Sequence, residues 1–129
     1  MNQSPTQNPA PGIKLLTITD PASGQVVGDR IRHCTTGRDR RVGLLKDTAL
    51  EAGTGILLEP CEGVHTFGMK FPIDIVFLNR KRKIVALHRS VPARRLRLSL
   101  RAHATLELPA GSIDRLGLQA EQPLKITPA

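Results

Sequence analysis

The segment Ile73–Leu78 constrains the fold of this chain more than any other feature. It reads Ile-Asp-Ile-Val-Phe-Leu, so both of its faces would be apolar in a strand, with Asp74 as the exception. Such a run is typical of a strand that is covered on both sides. The charged stretch 79–83 follows, and residues 84–91 then return to an apolar pattern. The two apolar segments therefore predict a β-hairpin whose first strand is central in the core.

Proline, glycine and polar turns divide the rest of the chain into short segments. Thr36 is a predicted helix N-cap, because its hydroxyl can accept a hydrogen bond from a free backbone N–H. Val42 and Leu45 would face the core from the short helix that follows. Further strands are predicted at residues 13–19, 25–35, 56–58, 64–69, 103–108 and 124–127, and helices at about 37–46 and 110–116.

These elements predict a mainly β protein, a single compact sandwich or rolled barrel with one or two short helices. Residues 1–12 contain three prolines and several amide side chains, and we predict that they form a disordered tail. Residues 13–129 would then form a single β-rich domain. The aromatic residues are Phe67, Phe71 and Phe77, which predicts that this stretch crosses the middle of the core.

The formal net charge of +8 attracts anionic partners through long-range electrostatics, but we favour solubility as its main role, because net charge alone indicates only non-specific association. Two arginine-rich stretches, 80–83 and 94–101, could contact phosphates. We expect the first of them to form the mobile, solvated tip of the hairpin. Aromatic platforms for base stacking are lacking, because the phenylalanines are expected in the core. We therefore expect at most weak, salt-sensitive binding of nucleic acid and no specific recognition.

The sequence contains no apolar run long enough to cross a membrane and no N-terminal secretory signal, so we expect a cytoplasmic protein. Cys34 and Cys61 would then stay reduced, and two such cysteines are more often small buried apolar residues than a disulfide. We expect a monomer without a cofactor, whose partner is an unknown small ligand or protein.

Three motifs carry a resemblance to a known family. Residues 60–78 read PCEGVHTFGMKFPIDIVFL, residues 105–111 read TLELPAG, and residues 43–45 read GLL. In this order they resemble the family called domain of unknown function 192, over about residues 31–126. The resemblance implies a bacterial or archaeal protein with a compact, β-rich, jelly-roll-like fold and short helices. It implies no established biochemical role.

The chain departs from many relatives at three places. Gly68 stands where many relatives have a Trp directly before the methionine, and its presence removes a large ring from any pocket. The basic run 80–83 replaces a turn that contains Asp and Gly, which makes this face unusually basic. Residues 121–122, Glu-Gln, replace Gly-Asp near the last strand.

Cys61, His65 and Met69 recur at four-residue intervals, and their thiolate, imidazole and thioether groups are soft ligands for copper or zinc. The prolines and glycines of this stretch argue against the helix that would place all three on one face. Cysteine and histidine are the only strong ligands among them, whereas structural zinc sites are almost always four-coordinate. We therefore predict no bound metal, and favour a core methionine, a buried cysteine and a histidine bonded to nearby backbone.

Asp74 and Glu107 most need explanation, because each stands between apolar residues of a predicted strand. A buried carboxylate is strongly destabilising unless it is paired or hydrogen-bonded. His65, Arg94 and Arg95 are candidate partners of Asp74, and the loop that contains the two arginines is the predicted source.

The leading functional hypothesis is a non-catalytic accessory module with a pocket for a small ligand or a partner segment. The candidate pocket residues are His65, Met69, Asp74, Glu107, Arg94 and Arg95. The alternative is an enzyme in which Asp74 and Glu107 share a pocket as an acid–base pair. It is less favoured, because the sequence has no nucleophile elbow, P-loop, dinucleotide fingerprint or metalloprotease helix. A further alternative is weak nucleic-acid binding through the arginine-rich loops.

Overall fold

The computed structural model describes residues 12–129, and this part of the chain is mainly β with two short helices, as predicted. The predicted tail lies outside the described residues, apart from Gly12. The strands are β1 (Lys14–Thr19), β2 (Val26–Cys34), β3 (Thr54–Leu58), β4 (Gly63–His65), β5 (Ile73–Leu78), β6 (Ile84–Val91), β7 (Leu96–Leu98), β8 (Ala104–Pro109) and β9 (Lys125–Pro128), and the helices are α1 (Gly37–Val42) and α2 (Ser112–Leu116).

Seven strands form one mixed sheet in the order β6-β5-β8-β3-β2-β1-β9. Within it β2 and β3 run parallel, and the other neighbouring strands run antiparallel. β4 and β7 form a separate two-stranded ribbon. The sheet is not closed into a barrel. An isolated bridge between Lys83 and Pro123 connects the β6 edge to the segment that precedes β9.

The central strand β5 is buried along its whole length, as its apolar pattern predicts. Val76 and Leu78 point to one face, which packs against Ile113 of α2 and the apolar residues behind it. Phe77 points to the opposite face and belongs to a second cluster with Leu44, which follows α1. The sheet is therefore a middle layer with cover on both sides. Neither helix within residues 12–129 is long and apolar enough to span a membrane.

Asp74 is completely buried, and its partners are backbone N–H groups instead of the predicted arginines. One carboxylate oxygen accepts a hydrogen bond from the N–H of Ser90, and the other accepts one from the N–H of Ile113, both at 2.8 Å. Arg94 and Arg95 are exposed, so the prediction of an arginine partner is wrong.

The two donors to Asp74 come from places where the backbone would otherwise lack an acceptor. Ser90 lies where the β5–β6 register slips, and its φ of 45° is one that few non-glycine residues adopt. Ile113 is in the first turn of α2, whose N-cap residue Gly111 has no side chain to accept its N–H. Asp74, which lies on β5, therefore caps the N-terminus of α2. Its two hydrogen bonds connect α2 and the β6 bulge to β5.

The helix cap Thr36 is confirmed, because its hydroxyl accepts a hydrogen bond from the N–H of Asp39 at 3.0 Å. The helix itself is shorter than predicted, since it ends before Gly43, where φ is +46°. α1 buries none of its own residues. Leu44 fills the core position that the sequence pattern assigned to Val42 and Leu45.

Two predictions about exposure are wrong. Phe77 is buried, but Phe71 is only half-buried and Phe67 is exposed, so the aromatic residues do not all cross the core. Arg82 was expected in a solvated hairpin tip, yet it is half-buried. Its guanidinium donates two hydrogen bonds, at 2.7 and 3.0 Å, to the carboxylate of Glu59.

We predict that Asp74→Ala lowers the free energy of unfolding by about 3 kcal/mol, because it leaves the buried N–H of Ile113 and the partly buried N–H of Ser90 without acceptors. Denaturant midpoints of the variant and the parent protein measure this loss. Asp20→Ala is the control, since Asp20 forms its hydrogen bonds in an exposed turn and its loss should be much less destabilising. Equal midpoints for Asp74→Ala and the parent would contradict the capping role.

Candidate functional site

A cavity of about 440 Å³ opens on the sheet face opposite α2. Its floor includes Leu58 of β3 and Glu107 of β8. One wall is formed by Gly37 and residues 40–45, which belong to α1 and the turn after it. The other wall is formed by residues 60–65, with Met69 beside them.

The first wall exists because β2 and β3 are parallel. Two parallel neighbours need a crossover connection, since the chain must return to the same end of the sheet. Residues 35–53 form that crossover. Leu44 anchors it to the sheet and is almost completely buried with Ile56 and Leu58 in one apolar cluster.

Glu107 is the unusual group of this cavity. In the sheet it stands beside Ile56 on one neighbouring strand and Ile75 on the other, and its side chain is only 5% exposed. Within residues 12–129 it has no hydrogen-bonding or ion-pair partner for its carboxyl group. Burial raises the pKa of Glu107 to about 7, an effect that the positive charge of Arg32 only partly offsets. At neutral pH the group therefore exists in both its protonated and its ionised form.

Arg32 pairs with Asp47 and not with Glu107, although its Nε is buried without a hydrogen-bond partner in the described part of the chain. It lies on β2, directly beyond Ile56 in the same row of the sheet, and its Nη2 donates to Oδ1 of Asp47 at 3.0 Å. Both side chains of this ion pair are buried. Burial raises the pKa of Asp47 in spite of the neighbouring guanidinium. Arg32, the buried arginine in the same row of the sheet as Glu107, is therefore paired with Asp47 of the crossover.

Cys61, His65 and Met69 all line this cavity, so the recurrence seen in the sequence reflects a shared location. Cys61 is half-buried and its thiol contacts the carbonyl oxygen of Gly63 at 3.2 Å. His65 is exposed at the cavity edge. Residues 12–129 contain no cluster of three or more His, Cys, Asp or Glu side chains that could hold a metal ion.

The predicted pocket is only partly assembled. His65, Met69 and Glu107 line the cavity, whereas Asp74 does not. In the β5–β8 pairing Asp74 is opposite Leu108 and Glu107 is opposite Ile75, so the two carboxyl groups point to opposite faces of the sheet. The enzyme hypothesis that needs both of them in one pocket is therefore wrong.

The two arginines of the predicted pocket also lie outside the cavity. Arg94 and Arg95 belong to an exposed turn that is held by backbone hydrogen bonds to Thr66. The cations that do line the cavity are Arg40 and Arg41 of α1. Sequence reasoning missed them, although they lie three and two residues before the Gly-Leu-Leu motif, and that position was the available signal.

Comparisons with known proteins identify the family but no activity. A family model for DUF192, described as Uncharacterized ACR, matches residues 18–126. A solved structure of a protein of unknown function from Novosphingobium aromaticivorans aligns with a TM-score of 0.75 at 18% identity and covers 97% of this chain and 99% of that chain. Another, described as a candidate transcription regulator from Sinorhizobium meliloti, aligns with a TM-score of 0.75 at 19% identity, over 88% of this chain and 93% of that chain. At these identities the similarity shows the fold alone. No curated protein matches the chain.

We predict that Glu107→Gln stabilises the protein at pH 8 and leaves its stability near pH 4 almost unchanged. The pKa of Glu107 rises from 4.5 in the unfolded chain to about 7 in the folded protein, so the folded state binds more protons between these values. The parent protein therefore loses stability as pH rises through this window, by an amount on the order of 3 kcal/mol, and the glutamine variant does not.

Denaturant unfolding of both proteins at several pH values tests this. Glu51→Gln is the matched control, because it removes one carboxylate from an exposed position. A constant stability difference between Glu107→Gln and the parent from pH 4 to pH 8 would refute the raised pKa.

Proposed function

The chain belongs to the domain of unknown function 192 family, and we propose that it is a non-catalytic binding module whose cavity takes a small amphipathic anion. The observation that carries this proposal is the carboxyl group of Glu107, buried at the cavity floor without a partner. A nearly buried polar group that reaches the cavity and has no hydrogen-bond partner within residues 12–129 favours a ligand that supplies one.

The deep end of the cavity favours a hydrogen-bond acceptor on the ligand. Because burial stabilises the neutral form of Glu107, its protonated carboxyl group can donate to a carbonyl or ether oxygen. Leu58, Val64 and Met69 supply apolar contacts around this end. A ligand with an apolar body and one acceptor fits these surroundings.

The charge of the walls favours an anionic group at the outer end. Arg40 and Arg41 line the cavity on the α1 side, and arginine is well suited to carboxylate and phosphate groups. Glu62 is the acidic residue of the opposite wall, and it is exposed. A cationic ligand would meet two guanidinium groups, so the electrostatics oppose it.

Catalysis is not favoured, because the acid–base pair that the enzyme hypothesis requires is divided by the sheet. Asp74 faces α2 and already accepts two hydrogen bonds. It therefore cannot act with Glu107 as an acid–base pair. The solved relative described as a candidate transcription regulator has 19% identity, and its description is not a reason to assign nucleic-acid binding to this chain.

We predict that N-acetyl-leucine, an anion with an amide carbonyl, binds the cavity, whereas leucinamide, a cation of similar size, does not. Titration followed by NMR shifts of cavity residues measures both. Because only the protonated form of Glu107 donates, binding should be about tenfold weaker at pH 8 than at pH 6. Glu107→Gln keeps a neutral donor and should bind with no such pH dependence.

Matched variants test the outer end. Arg40→Gln with Arg41→Gln should weaken binding of N-acetyl-leucine, and Arg38→Gln, on the same helix but outside the cavity, should not. Tighter binding of leucinamide would reverse the assigned ligand charge. An absence of binding by both compounds would remove the small-ligand proposal.

A further inference from the structure

Within residues 12–129, β7 and the turns next to the β4–β7 ribbon carry four of the five exposed large apolar side chains. Phe67, Leu96, Leu98 and Leu100 are 55%, 58%, 62% and 88% exposed, and within residues 12–129 the other large apolar side chain with such exposure is Val26. We call these four residues the leucine ribbon. Contiguous exposed apolar groups are uncommon on a soluble protein and mark interaction surfaces.

Three of these four residues adjoin one another through the strand register and a ring contact, and Leu100 follows them in the turn after β7. Leu96 is paired with His65 and Leu98 with Gly63, so these residues share the outer face of the two strands. The ring of Phe67 lies 5.8 Å from the ring of His65, which joins it to Leu96. Leu98 lies over Gly63, where a Cβ atom would collide with it.

Basic residues flank both ends of the leucine ribbon. Between residues 80 and 106 the sequence has nine Lys or Arg residues and no Asp or Glu. Arg94 and Arg95 precede Leu96 and are exposed, and Arg101 follows Leu100. The basic turn 80–83 is near this second end, because the N–H of His103 donates to the carbonyl of Leu78 at 2.8 Å.

The acidic residues near this surface offset only part of its charge. Glu59 pairs with Arg82 of the basic turn, which leaves Arg80, Lys81 and Lys83 of that turn exposed. Glu121 is paired with Arg101 at 3.4 Å, and both side chains are about two-thirds exposed, so the pair is weak. Glu62 lies next to the β4–β7 ribbon, because its backbone carbonyl accepts a hydrogen bond from the N–H of Ser99. Its side chain is exposed. The surface thus combines a protruding apolar stripe with a net positive border.

We propose that the leucine ribbon binds the surface of an anionic lipid bilayer. Its leucines would enter the boundary between headgroups and acyl chains while the flanking arginines contact lipid phosphates, an arrangement typical of peripheral membrane proteins. Leu100 projects from the protein surface, and a bilayer accepts a protruding side chain without a preformed groove. The leucine ribbon adjoins the cavity at Gly63 and His65, but lipid binding does not depend on the cavity function, and either can hold without the other.

The charge pattern distinguishes this occupant from two others. A second copy of the chain would bring two basic borders together, and like charges at an interface oppose association. A nucleic acid would match the arginines, but leucines offer no face on which bases stack, and Phe67 is the ribbon's one aromatic ring. An anionic bilayer satisfies both the apolar stripe and the charge.

Co-sedimentation with lipid vesicles tests the proposal. We expect the full chain to bind vesicles of phosphatidylcholine mixed with phosphatidylglycerol, and to bind vesicles of phosphatidylcholine alone much less. Leu98→Ser with Leu100→Ser should weaken binding by about tenfold or more, since each leucine loses its apolar contact with lipid. Arg94→Gln with Arg95→Gln should also weaken binding to the anionic vesicles.

The controls are matched in kind. Val26→Ser removes an exposed apolar side chain from β2, and Lys14→Gln with Lys125→Gln removes two exposed positive charges from strands outside the ribbon. Neither change should affect vesicle binding. Circular dichroism spectra and thermal melts establish that every variant is folded, which the exposure of the substituted residues leads us to expect.

Three outcomes would overturn the proposal. One is equal binding by the leucine double variant and the parent, or no binding to anionic vesicles at low salt. Another is tighter binding to a duplex oligonucleotide than to vesicles, unaffected by the leucine changes, which would assign the surface to nucleic acid. The third is a dimer in sedimentation velocity without lipid that Leu98→Ser with Leu100→Ser abolishes, which would assign the ribbon to a second copy.

Discussion

Burial of both faces of the central strands is the constraint on which the rest of the structure depends. β3 and β5 are buried at every residue, so each needs a covering layer on both sides. α2 and the apolar residues behind it cover one face. The crossover and the segment that leads into β4 cover the other. The cavity lies where this second layer divides, between the crossover and residues 60–65.

The two carboxyl groups buried in neighbouring strands meet the same electrostatic problem in different ways. Asp74 keeps its position because two backbone N–H groups, from a bulge and from a helix start, are directed at its oxygens. Glu107 has no such donors, and the buried Arg32 of its row is bound to Asp47, so its neutral form is favoured. A carboxylate whose oxygens are satisfied has little left to offer a ligand. The presence of hydrogen-bond donors therefore distinguishes Asp74, which has a structural role, from Glu107, the candidate binding residue.

Much of the fold could be predicted from local patterns, because those patterns act within a few residues. The apolar run of β5 requires cover on both sides, and the hydroxyl of Thr36 caps whatever helix follows it. Alternation also places Asp74 on the face of Val76 and Leu78. The face of Glu107 relative to Asp74 depends on the β5–β8 register, which joins distant parts of the chain and leaves no local trace.

Other features were hidden because their chemistry is not specific to a residue type. The partners of Asp74 are backbone N–H groups, which every residue except proline possesses, so no side chain in the sequence indicates them. Arginines were the predicted partners only because their charge is visible in the sequence. Phe67 was expected in the core because it is aromatic, but residue type alone does not reveal that its turn faces outward. The cavity lies between two connections, and their packing follows from topology alone.

The position of β8 between β3 and β5 has a consequence for the order of assembly. Residues 59–103 separate β3 from β8 in the chain, yet the two strands are neighbours in the sheet. Before residues 104–109 emerge during synthesis, β1, β2 and β3 can form one partial sheet and β5 and β6 another, each with an open edge. β8 is the strand that closes both edges at once. The nascent chain is thus most exposed to wrong pairing immediately before this strand arrives, and becomes a single cooperative unit only afterwards.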